Sequence, residues 1–308
     1  MKKIATLALT LGLLATLPSC SVEVDTSEVS IILPNGTPAL AMGTLLNEVD
    51  SEVVTDATLL QAALVSTQDK YDLVIAPLTA GTNLYLKGKS NYKLEAVITT
   101  NNAYLVSRGE NALTSDALQG KEITGFQETN TPGIILKTYI EKFDINATTN
   151  FVGNVNQSVT AFINEQVSYA VVAEPQLTKL EAQYTDLNVL NLGAEICEEG
   201  SFVPQAALFV NPDVKDDEDV KAFLDKLEQN INKLNSYSST YAEELVNSGI
   251  SYFSTYTKEV LTTALPRCNL AYKKGSENKE SIEKFYDSCD LYVNNMFGGK
   301  KPDEEFYN

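Results

Sequence analysis

Two short stretches concentrate polar groups that can hold a small molecule. Asn35, Gly36, Thr37, Pro38 and Ala39 form the first; Gln127, Glu128, Thr129, Asn130, Thr131 and Pro132 form the second. Their amides and hydroxyls supply directed hydrogen bonds. Each stretch runs through Thr-Pro into an apolar run. A threonine hydroxyl accepts from a first-turn N–H, and proline suits the first helical position. The spacing therefore predicts helix starts with Thr37 and Thr131 as caps and backbone N–H groups facing what lies beyond. Leu78 and Thr79 follow Pro77 in a third such corner, and Asn154 and Asn156 occupy a fourth. Asn102, Tyr104 and Glu174 stand where the chain would pass between lobes. Singly, each residue also fits an ordinary cap or turn; the joint placement of several corners makes them a candidate ligand-binding set. These loops carry no Lys or Arg, which disfavours bidentate capture of a carboxylate or phosphate. Amides near the rings of Tyr104, Phe126 and Phe202 suit a neutral or weakly charged, planar solute, such as a heterocycle. A small anion held by helix N-termini alone is the other option.

The sequence contains no histidine. Ser-His-Asp and Cys-His nucleophilic sites are thereby removed, with the commonest metal ligand. Neither a GxxxxGK phosphate loop nor a GxGxxG fingerprint occurs. No Cys/His cluster indicates zinc. Acidic residues are plentiful, but no spacing sets two of them up for hydrolysis. The expectation is a binder with no catalytic residue, no metal and no cofactor. A net charge of −18 argues against nucleic acid as a partner, because phosphate contacts need a basic surface.

Strands must end at these corners to position them. Apolar runs at 29–33, 71–76, 94–99, 103–107, 122–125, 169–173 and 203–210 read as strands, with shorter ones at 52–55 and 151–152. Helical spacing covers 38–49, 59–68, 78–86, 113–118, 132–143, 158–166 and 175–183. The alternation predicts an α/β chain of two lobes, each a sheet flanked by helices. Thr100-Asn101-Asn102 marks one crossing and the run from Val203 the return. Residues 29–100 and 204–308 then make one lobe, and 101–203 the other. From Asn211 on, the pattern is helical, over 214–234, 240–246, 256–265 and 281–297.

Lys2-Lys3, the apolar run from Ile4 to Leu17, and Ser19-Cys20 read as a secretion signal over residues 1–19. The run is too short to span a bilayer comfortably. Leu17 and Ser19 around Pro18 resemble a bacterial lipobox, which implies a lipid on Cys20. Residues 20–28 would then tether the fold to the membrane. Cys197, Cys268 and Cys289 remain, and an odd count leaves one unpaired or joined to another chain. Cys268 with Cys289 is the pair to test.

With these segments placed, Pro34-Asn35-Gly36-Thr37-Pro38-Ala39-Leu40 resembles the first cleft loop of substrate-binding lipoproteins of ABC transporters. The branch is the one related to alkanesulfonate-, nitrate- and thiamine-pyrimidine-binding proteins. Tyr71 to Pro77, Ala173-Glu174-Pro175, Pro204-Gln205-Ala206, Pro266-Arg267 and the ending Gly298 to Tyr307 are similar to segments of that family. The resemblance runs over residues 29–308. It implies a periplasmic-binding-protein type II fold, a Venus flytrap whose two lobes close on a small molecule. It also implies a permease and an ATPase as partners, and an extracytoplasmic site at the membrane. It places a cleft role on Asn35 to Ala39 most directly and leaves the ligand open. A ligand-sensing lipoprotein without a permease is the alternative. Enzymes of similar fold fit less well: fungal pyrimidine-forming relatives consume a histidine, and menaquinone-pathway relatives are cytoplasmic. Expression in a bacterial host is expected to yield an acylated chain beginning at Cys20. Mass spectrometry of the membrane fraction checks this, and Cys20→Ala should leave an unacylated precursor.

Overall fold

The computed structural model describes residues 24–66 and 70–308. The expected signal segment, Cys20 with its lipid and the first tether residues lie outside the described residues, as does Gln68, near which the second helix was expected to end; that helix already stops at Val65, with Ser66 extended as its cap. In the first part of the chain, β1 (Ser30–Pro34) leads to α1 (Thr37–Met42), β2 (Asp50–Val54), α2 (Ala57–Val65), β3 (Leu73–Pro77), α3 (Leu78–Leu86) and β4 (Lys93–Thr99). Next come β5 (Tyr104–Arg108), β6 (Glu122–Phe126), α4 (Thr131–Lys142), β7 (Thr148–Val152), α5 (Val155–Ile163), β8 (Ala170–Val172), α6 (Gln176–Gln183), β9 (Leu187–Asn191) and α7 (Leu192–Ile196). The last part holds β10 (Ala206–Val210), α8 (Glu218–Ser236), α9 (Ser238–Asn247), α10 (Lys258–Ala264), β11 (Leu270–Lys274) and α11 (Gly275–Tyr292).

Among the described residues the strands form two mixed sheets. The first has the order β11-β4-β10-β3-β1-β2, and the second β7-β6-β8-β5-β9. In the first, β1 runs parallel to β2 and β3, while β10 lies antiparallel between β3 and β4. In the second, β6 is parallel to β7 and β8, and β5 is antiparallel to β8 and β9. The chain changes sheets between Thr99 and Tyr104 and again between Asn191 and Ala206.

Alternation along the strands sorts the core into layers. Ile31 and Leu33 of β1, Leu73 and Ile75 of β3, and Leu208 and Val210 of β10 face a layer closed by α1, α8, α9 and α10. Ile32, Val74, Ala76, Ala207 and Phe209 face the opposite way. That second layer holds Ile282 and Phe285 of α11 and continues into the other sheet, through Leu105, Ile123 and Val171. Tyr104, Val106, Ala170 and Val172 turn to a third layer under α5 and α6. Helix α8 buries Val220, Phe223, Leu227, Ile231 and Leu234, the three- and four-residue spacing of one apolar stripe.

Several expectations need correcting. The first helix ends at Met42, and Gly43–Asn47 continues as a 3₁₀ segment. Gly43 takes φ +56°, and a Cβ there would collide with the Tyr241 hydroxyl, so the α-helix breaks where the Tyr241 side chain packs against the chain and only glycine fits. Residues 113–118 form turns instead of a helix, with Thr114 Oγ1 accepting from Ala117 N–H at 3.2 Å. The edge strands β9 and β11 and the short α7 were not anticipated. The last long helix begins earlier, at Gly275, and ends at Tyr292. Cys197, Cys268 and Cys289 are free thiols. Cys268 packs in the α8–α10 layer and Cys289 in the layer that meets α11, so the expected pair is separated by the first sheet.

Phe223 is fully buried. Phe223→Ala should lower the unfolding free energy by about 3–5 kcal/mol, read as a shift in the urea midpoint. Leu291, which is 73% exposed, should change it by no more than about 0.5 kcal/mol on substitution by alanine.

Candidate functional site

A cavity of ≈ 130 Å³ lies between the two sheets. An engineered apolar cavity of about 150 Å³ takes up benzene, so the space matches one small ring. Its wall is assembled from the carboxyl ends of strands. The β1–α1 corner supplies Pro34 to Pro38, and the start of α2 supplies Thr55, Ala57 and Leu60. Opposite them lie Phe126, Gln127, Thr131 and Pro132 of the β6–α4 corner, and Asn154 and Val155 at α5. Ala173 and Glu174 follow β8, and Asn102, Gln205 and Ala206 come from the crossings. Strand ends of an α/β sheet are where ligands bind, because loops and helix N-termini converge there. Among the described wall residues none is Lys or Arg, and Glu174 is the one acid.

Sequence reasoning placed Asn35, Gly36, Thr37, Pro38, Asn102, Gln127, Thr131, Asn154 and Glu174 at positions that the structure brings to this wall. Other candidates do not reach it. Ala39 is buried in the layer under α1, and Leu78 lies in the opposite layer. The Thr79 hydroxyl is buried 3.2 Å from that of Thr131. Asn130 is the buried N-cap of α4. The Tyr104 hydroxyl donates to the Arg267 carbonyl at 3.1 Å. Asn156 accepts from Gln176 Nε2 at 3.0 Å on the surface. Thr55, Ala57, Leu60, Thr99 and Gln205 were missed as wall residues, although Pro204-Gln205-Ala206 stood out as a segment.

The helix starts sit one residue away from the expected caps. Gly36 and Asn130 are the N-caps, and Thr37 and Thr131 occupy the first helical turn. Their hydroxyls bond elsewhere: Thr37 Oγ1 accepts from Asn102 Nδ2 at 3.4 Å, and Thr131 meets Thr79. Some corner donors are already engaged. Asn35 N–H donates to the Val54 carbonyl at 2.9 Å, and Gly36 N–H to the Tyr252 hydroxyl at 2.6 Å. Gly36 adopts φ +91° and Gln127 φ +52°. For Gln127 the left-handed conformation costs on the order of 1 kcal/mol, and its N–H bond to the Val152 carbonyl at 2.9 Å helps hold it. Helix α4 then rests on this loop: a Cβ on Gly133 would lie 2.6 Å from the Gln127 carbonyl oxygen.

Asn102 binds both sides. Its Oδ1 accepts from Glu174 N–H at 2.8 Å, and its Nδ2 donates to Thr37. Its backbone N–H and carbonyl both pair with the Gln205 side-chain amide. Glu174 is 2% exposed. Its Oε2 accepts from Thr178 N–H at 3.1 Å, and its Oε1 faces Arg267 Nε at 2.8 Å. That second contact is an ion pair lacking hydrogen-bond geometry. Burial pushes the Glu174 carboxyl above its ordinary 4.5, against the opposing pull of Arg267 and Thr178. The folded chain therefore keeps this proton to higher pH than the unfolded chain. That contribution to stability is present at low pH and is lost as pH rises from 4.5 through the raised value. Glu174→Gln should flatten the fall in melting temperature across that window; an unchanged profile would count against it.

No family model and no curated protein matches the sequence. Solved structures do match the fold. The crystal structure of an ABC transporter from Parabacteroides distasonis superposes with a TM-score of 0.74 at 21% identity, over 92% of this chain and 99% of that one. The periplasmic aliphatic sulphonate binding protein SsuA from Escherichia coli gives 0.69 at 13% identity, over 91% of each chain. The alkanesulfonate-binding protein SsuA from Xanthomonas axonopodis pv. citri, bound to MOPS, gives 0.63 at 13%, over 92% and 97%. The chain has the periplasmic-binding-protein fold, as expected from its sequence.

Proposed function

We propose that this protein captures a small molecule between two lobes and delivers it to an ABC permease for import. The observation that carries this reading is the position of the cavity. It lies between two separate sheets, and corners from both build its wall. A solute there touches both halves at once. It therefore favours the closed arrangement over the open one, which a ligand of equal affinity for both cannot do. The lobes of this reading are residues 29–100 with 204–308, and residues 101–203. Of the three structural neighbours named above, one is an ABC transporter and two bind sulfonates by name. An ATPase would drive the permease, and lipidated Cys20 would hold the protein at the outer face of the membrane.

The ligand class follows from the wall. Among the described residues, amides, hydroxyls, prolines and one phenylalanine surround a space the size of a ring, without a cationic side chain. We read this as a site for a neutral or weakly charged planar solute and not for catalysis. A sulfonate would have to rely on backbone and amide donors.

Thermal-shift screening of the chain against pyrimidines, sulfonates, nitrate, vitamins and amino acids tests the reading. A native-state ligand at a hundred times its Kd stabilises by about 2.7 kcal/mol, which reads as a rise of several degrees. A neutral heterocycle should give it, and Asn102→Leu should abolish it. Preferential binding of nitrate or a sulfonate would overturn the ligand class; product formed from the bound compound would overturn the binder.

A further inference from the structure

Arg267 joins parts of the chain that belong to different sheets. It lies in the short helical turn Leu265–Arg267, directly before β11 of the first sheet. Its side chain reaches Glu174 and Glu181, which flank and occupy α6 beside the second sheet. Nε faces Glu174 Oε1 at 2.8 Å, and Nη2 donates to Glu181 Oε1 at 3.2 Å. The Nη1 group pairs with the other Glu181 oxygen. The Arg267 carbonyl accepts from Tyr104 of β5, so main chain and side chain both cross the boundary. Beside this contact, Lys179 of α6 lies over the Tyr256 ring at 4.2 Å.

We propose that Arg267 is a positioning residue that holds the two lobes closed by supplying the counter-charge for the carboxylate in the cavity wall. The Glu174 side chain is fully buried, whereas Glu181 is 36% exposed. A buried carboxylate stripped of its cation is strongly unfavourable, while an exposed one simply hydrates. Of the two contacts, the one to Glu174 therefore couples to closure. When the lobes part, water replaces the guanidinium around Glu174; when they close, Arg267 must be in place. With the pair formed, the wall offers the solute no net charge. This inference rests on the two-lobe capture reading and adds what holds the closed form.

Small-angle X-ray scattering of the ligand-free full chain tests it. Arg267→Met should raise the radius of gyration by about 1 Å above the unsubstituted chain, for which a compact fold of this length gives roughly 19 Å. Adding Glu174→Gln should reverse the rise, because a buried amide needs no cation. Glu181→Gln alone should leave the radius unchanged. Thermal melts establish that each variant is folded. If Arg267→Met does not fold, Arg267→Lys serves, since it keeps the charge and loses the fork; a smaller rise, again reversed by Glu174→Gln, is then expected. The proposal is overturned if the arginine variants scatter like the unsubstituted chain, or if Glu174→Gln fails to reverse the rise. No ligand takes part, so an unsuccessful ligand screen and a negative scattering result remain distinguishable.

Discussion

A buried side-chain amide must find partners for its oxygen and its nitrogen, or the fold bears the cost of dehydrating them. At Asn102 those partners come from opposite sides of the cavity. Thr37 belongs to the β1–α1 corner and Glu174 follows β8, while Gln205 embraces the Asn102 main chain from the returning crossing. One buried residue thus registers both corners and both crossings against each other. The cavity has its present shape because Thr37, Glu174 and Gln205 are all tied to this one residue, two through its side-chain amide and one through its main chain. Groups in such a network depend on one another's placement.

The charge distribution follows a related logic. The chain is strongly acidic overall, yet among the described residues its cavity wall holds a single acid, and that acid is paired. The cation that pairs with it stands behind the wall and not on it. Arg267 therefore shapes the electrostatics of the cavity without offering a solute a guanidinium to bind. A likeness of fold to sulfonate-binding proteins does not by itself identify a ligand. Architecture is shared across the fold, whereas recognition depends on which side chains face inward.

Much of the core was readable in the primary structure because burial on both faces leaves a strong pattern. Continuous apolar runs such as Leu73 to Ala76 have few alternatives to a central strand. The edge strands escaped notice for the opposite reason. Leu187–Asn191 and Leu270–Lys274 are mostly half-buried and carry polar residues, so neither shows a clean period. The cysteines mislead for a similar reason. Residues 268 and 289 are near each other in sequence, but between them the chain passes along β11 and into α11, and they end on opposite faces of a sheet.

The sequence by itself determined the class of fold, the Thr-Pro corners and the absence of histidine chemistry. Each is a local property, set by residue type, by spacing of two or of three to four, or by composition. Tertiary structure alone decided which corner residues share a wall and which are spent as caps and braces. Thr79 and Asn130 looked equivalent to Thr37 and Gln127 along the chain, and packing separated them. It also decided the partners of Asn102 and the reach of Arg267 to Glu174. Those contacts join residues 65 to 103 positions apart, and no local pattern encodes a meeting at that range.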